Sequence, residues 1–216
     1  MSLVDLRKTL PKHRWKKYRK RRHRIIGAVL HCTGSTNQSP RRTANYHITR
    51  KNWPGIAYHE FVASTGDVYL CNDQSLRTYH SSQANSRTVG IVMGYEGKKA
   101  PPPAPQLELA CKRLANVCLK NKFSPLKRGW YGGVRGHREF PWMIRIFGRG
   151  VKRLRKTCPG MAIDMDFVRT RVIEIMQKEM KRDGCYPYAI DGMWGRISTR
   201  GLKCYQYYGK SPFTAV

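Results

Sequence analysis

Short apolar runs separated by polar, turn-rich stretches dominate the first half of the chain, and helical periodicity takes over later. Residues 25–34 read IIGAVLHCTG: Ile25, Ile26, Val29 and Leu30 are apolar, and Gly27 and Ala28 are small enough for close packing. This pattern predicts a short buried strand that delivers His31 to its end. Residues 33–45 are polar and predict a surface loop. After a turn at Pro54-Gly55, residues 53–63 read as a strand, Ser64–Asp67 (STGD) as a turn and residues 68–71 as a returning strand, which together make a hairpin. Residues 89–95 alternate Val89, Ile91, Met93 and Tyr95 against smaller residues, as a central strand does.

Four prolines between residues 98 and 105 impose a loop. Residues 105–122 then read as an amphipathic helix. Leu107, Ala110, Cys111, Leu114, Val117 and Cys118 recur at spacings of three and four, which puts both cysteines on a core face. Residues 167–180 form a second such helix, with Phe167, Val168, Val172, Ile175 and Met176 on one stripe, and Gly184 ends it. The segment beyond Gly184 is too short to bury a large core alone and reads as a mini-domain or a docking appendage.

A chain of 216 residues buries a real core, and one main domain with a small appendage is the expectation. The formal charge of +29 changes the picture, because such a surface attracts polyanions: nucleic acid, anionic lipid or acidic wall polymer. Residues 7–24 hold eleven Lys or Arg with Trp15 and Tyr18 interleaved. That run is either a solvated charged tail or an arm for nucleic acid or another polyanion, and so much charge orders only against something else. No apolar run reaches the length of a membrane span. The arginine-rich start lacks the apolar region of a secretion signal. Seven scattered cysteines, Cys32, Cys71, Cys111, Cys118, Cys158, Cys185 and Cys204, are an odd number. They read as free buried thiols with one of them a ligand, made in a reducing compartment.

The candidate chemistry lies in three separated pieces. The first strand ends in His31, residues 133–140 (GVRGHREF) carry His137, and residues 156–160 (KTCPG) place Cys158 in a loop before a proline. Two histidines and one cysteine make a three-ligand zinc set with a fourth position for water. Their wide spacing matches no compact metal-binding pattern. Five positive charges in residues 149–156 fit either an anionic substrate nearby or a solvated basic loop.

From residue 25 to about residue 160 the chain resembles the zinc-dependent N-acetylmuramoyl-L-alanine amidases shared by small phage lysozymes and peptidoglycan recognition proteins. The resemblance rests on five blocks in the family's order: His31-Cys32-Thr33, GIAYHEFV at residues 55–62, NSRTVGIV at residues 85–92, Gly136-His137-Arg138, and KTCPG. It implies an α/β fold, a central mixed β-sheet flanked by helices. It implies zinc on His31, His137 and Cys158, with Tyr58 and Lys156 as catalytic residues. The implied reaction is hydrolysis of the amide joining N-acetylmuramic acid to L-alanine in peptidoglycan. In that setting the cationic Lys156 would stabilise the developing oxyanion, and Tyr58 would orient water or donate to the intermediate. His59 is expected to pack behind the site and His80 to line the cleft or the core. His13, His23 and His47 are expected at the surface or in loops. Trp53, Trp130 and Tyr131 would line a sugar groove, or pack in the core or at the rim.

Residues 168–208 resemble the three-helix peptidoglycan-binding module of wall hydrolases through Gln177, Gly184, Tyr186, Asp191-Gly192, Gly195 and Gln206. The copy keeps the usual threonine only in part, at Ser198-Thr199-Arg200, and stops soon after Gln206. The expected organisation is therefore a basic N-terminal arm at 1–24, an amidase-like domain at 25–166 and a small C-terminal helical module at 167–216. Such a protein suits a phage endolysin made in the bacterial host cytoplasm and acting at the cell wall after release, or a lysin carried in a virion. Two alternatives remain open at this point. One is a structural component of a virion or ribonucleoprotein assembly that keeps the fold and grips nucleic acid through its arm. The other is an inactive recognition protein.

Overall fold

Alternation along two neighbouring strands decides which side chains meet. In a computed structural model that describes residues 2–97, 100–140, 144–147, 150–153 and 157–207, strand β3 (Gly27–Cys32) runs parallel to β7 (Thr88–Met93). Their register pairs Gly27 with Thr88 and His31 with Val92. Ala28 and Leu30 of β3 face the same way as Val89, Ile91 and Met93 of β7, and all five are fully buried in the main core. Val29, His31 and Val92 face the other way. Gly27 is required by packing, since a Cβ there would stand 2.2 Å from the Tyr131 carbonyl oxygen.

The central sheet has six strands in the order β1-β5-β4-β7-β3-β8, with β1 at Leu3–Asp5, β4 at Glu60–Val62, β5 at Val68–Leu70 and β8 at Gly133–Gly136. β4, β7, β3 and β8 are parallel to one another, and β5 runs antiparallel to β4, so the sheet is mixed. Helix α2 (Ala104–Asn121) covers one face with Leu114, Ala115 and Cys118. α3 (Met165–Arg182) and α4 (Arg196–Tyr207) pack outward from it, and Val168, Met176 and Leu202 join the same apolar cluster. The fold is thus α/β with a mixed sheet between helices. Among the described residues no helix is long and apolar enough to cross a membrane.

On the other face lies α1 (Pro40–Lys51), with Ala44 packed against Phe61 and Val92. The expected polar loop at 33–45 is therefore helical from Pro40 onward. The reason is local: the Ser39 hydroxyl accepts from the Arg42 backbone N–H, Pro40 fits the first turn, and Asn52 closes the helix in the left-handed region. Composition misleads here because α1 buries only Pro40, Thr43, Ala44 and His47. The strand expected at 53–63 shortens to Glu60–Val62, while its hairpin with β5 is present.

The basic N-terminal stretch runs along this face. β1 pairs with β5 at the sheet edge, Leu10 enters the cluster of Phe61 and Cys71, and the Tyr18 hydroxyl donates to the Gly55 carbonyl at 2.9 Å. β2 (Arg19–Lys20) pairs antiparallel with β6 (Leu76–Arg77). β9 (Ile144–Phe147) and β10 (Gly150–Arg153) form a separate hairpin. The expectation that all seven cysteines stay as thiols is corrected: Cys185 and Cys204 are joined in a disulfide that ties the end of α3 to α4, and the other five form no disulfide. Spacing along the chain carries no sign of this pair, because it forms only when α4 folds back on α3.

Candidate metal centre

His31 is the fifth residue of β3, placed by alternation on the face away from α2, and it is 1% exposed. His137 begins the 3-10 turn directly after β8, the strand hydrogen-bonded to β3. The Glu139 carboxylate holds that turn by accepting from the Gly136 N–H at 2.9 Å while pairing with Arg169 of α3, also at 2.9 Å. Cys158 comes from a loop pinned to the same turn. The Arg138 N–H donates to the Cys158 carbonyl at 2.7 Å, the Arg138 guanidinium reaches the carbonyls of Gly160 and Ile163, and the Tyr95 hydroxyl donates to that of Pro159. The donor atoms of His31, His137 and Cys158 all lie within 4.8 Å of one another.

Around this trio the hydrogen bonding is directional. His31 Nδ1 lies 3.6 Å from Cys158 Sγ, and His31 Nε2 lies 3.2 Å from His80 Nδ1. The Cys32 N–H donates to Cys158 Sγ at 3.3 Å. A hydrogen bond between the Cys32 and Cys158 side chains lowers the Cys32 pKa to about 7. Tyr58 packs beside His31 with ring centroids 5.0 Å apart. Burial, with the two thiols close by, pushes its phenol up, so Tyr58 keeps its proton at neutral pH. Thr33, Ser35, Gln38, Thr43, Tyr46 and Tyr58 line an adjoining cleft of about 320 Å³.

Two imidazoles and one thiol converging from three chain segments fit a borderline-soft cation such as zinc, with a coordination position left over. His31 is oriented for that role by having its other ring nitrogen taken up by His80. Lys156 lies outside the described residues.

The other histidines divide clearly. His59 is fully buried behind the site, where its Nδ1 accepts from the Gly90 N–H at 3.0 Å and its Nε2 lies 3.1 Å from the Leu76 carbonyl. His80 sits over Gly90, where a Cβ would approach its ring to 2.6 Å. His47, expected at the surface or in a loop, is instead 7% exposed, and its Nδ1 accepts from the Ala57 N–H at 3.1 Å. Trp53 packs on His47, whereas Trp130 is 65% exposed.

Sequence reasoning missed Arg21. Its guanidinium donates to the carbonyls of Gln74, Asn85 and Thr88 at 2.6, 2.6 and 2.7 Å, and Nη2 lies 2.9 Å from His59 Nε2. Burial without a carboxylate among these partners lowers its pKa to about 10. Nothing in the run RKRRHR separates this residue from its neighbours.

Fold and site together define a small α/β protein with a two-histidine, one-cysteine centre where β3 and β8 end. A sequence model described as N-acetylmuramoyl-L-alanine amidase (Amidase_2) matches residues 21–161, and the chain belongs to that family. Among curated proteins it is similar to peptidoglycan-recognition protein LB of Drosophila melanogaster, 24% identical over 117 residues. That match covers 54% of this chain and 48% of the relative, so the chain spans about half the relative's length. Among solved structures it is similar to the Ph2119 endolysin of the Thermus scotoductus MAT2119 bacteriophage Ph2119. The TM-score there is 0.59 at 20% identity, covering 79% of this chain and 98% of that one. The amidase LysC from Clostridium intestinale URNW superposes with a TM-score of 0.57 at 15% identity, covering 79% and 96%. At these identities the structural matches establish the fold.

Proposed function

We propose that this protein is a zinc-dependent N-acetylmuramoyl-L-alanine amidase, hydrolysing the amide between N-acetylmuramic acid and L-alanine in peptidoglycan. The observation that carries the reading is the convergence of His31, His137 and Cys158 beside Tyr58, a residue that also lines a cleft. His31, His137 and Cys158 would hold a zinc ion, which would supply Lewis acidity toward the amide carbonyl and lower the pKa of a water. Tyr58, protonated at neutral pH, donates toward the oxygen on which charge develops. Lys156 is assigned to the same oxygen as a cationic donor. Water adds to the amide carbon, the bond to the alanine nitrogen breaks, and that nitrogen leaves with a proton.

The likeness to the Ph2119 endolysin supports an endolysin that acts on the cell wall, free or carried in a virion. We read residues 167–216 as a peptidoglycan-binding-like module that braces the amidase domain at 25–166. Its signature Gln177 is spent internally, accepting from the N–H groups of Asp191 and Gly192 and donating to the Met193 carbonyl at 2.9 Å. The test is zinc content measured together with muramoyl-peptide cleavage. Stoichiometric zinc and release of N-terminal L-alanine, lost in Cys158→Ser and sharply reduced in Tyr58→Phe and Lys156→Ala, are expected. Zinc without cleavage would instead mark a recognition protein.

A further inference from the structure

The cations at the N-terminal end of the parallel strands are fixed in place. β2 and β6 form a two-stranded ribbon whose register sets Arg19 directly opposite Arg77, and both side chains are exposed. Directly opposed like charges destabilise an antiparallel pair. The ribbon is held all the same, because Arg21, just beyond it, is anchored on three backbone carbonyls and the Arg21 N–H donates to the Ser75 carbonyl at 2.7 Å. Arg19, Lys20, Arg22, His23, Arg77 and Ser86 line a groove of about 560 Å³ there. Among the described residues no carboxylate lines it. Arg87 adds a further guanidinium, 3.5 Å from His23 Nδ1.

From this arrangement we propose that the β2–β6 groove binds the phosphate backbone of duplex nucleic acid, at a site separate from the metal centre. Arginine forks match phosphate oxygens, and an anion between Arg19 and Arg77 relieves their repulsion. A rigid array of cations rewards a partner whose phosphates are equally rigid. A duplex supplies one charge per about 1.7 Å of axis, whereas a flexible polyol-phosphate polymer must first be ordered. The groove offers four arginines, a lysine, a histidine and a serine, donors that fit phosphate oxygens. It lies beside the start of β7, whereas His31 stands four residues further along the register, about 13 Å away. Nucleic acid and a wall substrate therefore do not compete for one surface, and this inference does not depend on the hydrolase reading.

The experiment titrates a fluorescent 20-base-pair duplex with the full-length protein across a range of NaCl concentrations. It compares the parent with Arg19→Gln/Arg77→Gln and with a charge-matched control, Lys178→Gln/Arg200→Gln, whose sites are exposed on α3 and α4. The groove variant is expected to bind about tenfold more weakly and to lower the slope of log K against log salt by about 1.8, the loss of two phosphate contacts. Its thermal midpoint should stay the same or rise, because the opposed charges are gone. The proposal is overturned if the groove variant loses no more affinity than the control, or if the parent binds no duplex. It is equally overturned if poly(glycerol phosphate) binds more tightly than the duplex at equal salt, which would make the occupant a wall polymer.

Discussion

His80 Nδ1 accepts the proton that His31 carries on Nε2, across 3.2 Å. The partners fix the tautomers. His80 Nε2 lies 3.1 Å from the Thr88 carbonyl, which only accepts, and the Thr88 hydroxyl is already spent donating to the Ala84 carbonyl at 2.7 Å. His80 therefore carries its proton on Nε2, and burial keeps it neutral by pushing its pKa well below the ordinary value. His31 then presents the lone pair of Nδ1, the nitrogen that faces Cys158. Arg21 donates to the same Thr88 carbonyl, so the N-terminal stretch reaches His31 through a chain of three hydrogen bonds.

Replacing His80 by alanine should let His31 adopt the wrong tautomer. Zinc affinity, measured by competition with a chelator, is expected to fall about 10- to 100-fold, the usual cost of losing an outer partner of a ligand histidine. Unchanged affinity in a folded His80→Ala protein would show that the His31 ring is oriented without it.

Glu60 faces α2 from the edge of β4, where its carboxylate takes both Nε and Nη2 of Arg113 at 2.7 and 3.2 Å. Both side chains are nearly inaccessible, at 3% and 10% exposure. Glu60→Ala strands a buried guanidinium and should cost about 3–5 kcal/mol in urea unfolding. The half-exposed pair of Arg171 with Glu108 offers the contrast: Arg171→Ala should cost no more than about 1 kcal/mol.

The Cys185–Cys204 bridge spans 19 residues of chain and closes α4 onto α3. Opening it with Cys185→Ser/Cys204→Ser frees that loop in the unfolded chain and should cost about 3 kcal/mol. Because Val168, Met176, Leu202 and Tyr205 belong to the main core, the loss should appear in the single global unfolding transition. A separate early transition confined to the C-terminal helices would contradict that coupling.

Much of this was legible in the chain because the parts that carry chemistry are also the parts with strong local patterns. The apolar run before His31 had to be a buried strand, and strand ends are where side chains leave a sheet. The period of three and four in α2 and α3 was unambiguous for the same reason, since both bury a continuous stripe. α1 was obscured because its buried face is made of Pro40, Thr43, Ala44 and His47, which no hydropathy pattern singles out. The Ser39-Pro40 cap was its one readable signal. Arg21 and the Cys185–Cys204 bridge were out of reach for another reason. Their partners are backbone carbonyls or a distant thiol, fixed only by the tertiary fold.

Acid should unfold this protein through three buried neutral histidines. Burial, with Lys51 nearby, lowers His47 to about 4, and burial, with Arg21 nearby, lowers His59 to about 3. Burial, with His59 nearby, also holds His80 well below its ordinary value. In the unfolded chain all three titrate near 6.5. Above that pH neither state takes up a proton and their contribution to stability is complete. Below it the unfolded chain binds three protons that the folded chain refuses, so stability falls with pH until the folded values are reached. The expected slope between pH 6 and 4.5 is about 4 kcal/mol per pH unit, from about 1.4 for each histidine. Urea midpoints taken across that range measure it directly. His47→Gln should lower the slope by about a third, and a flat profile in the parent would mean that these rings are not held neutral in the folded state.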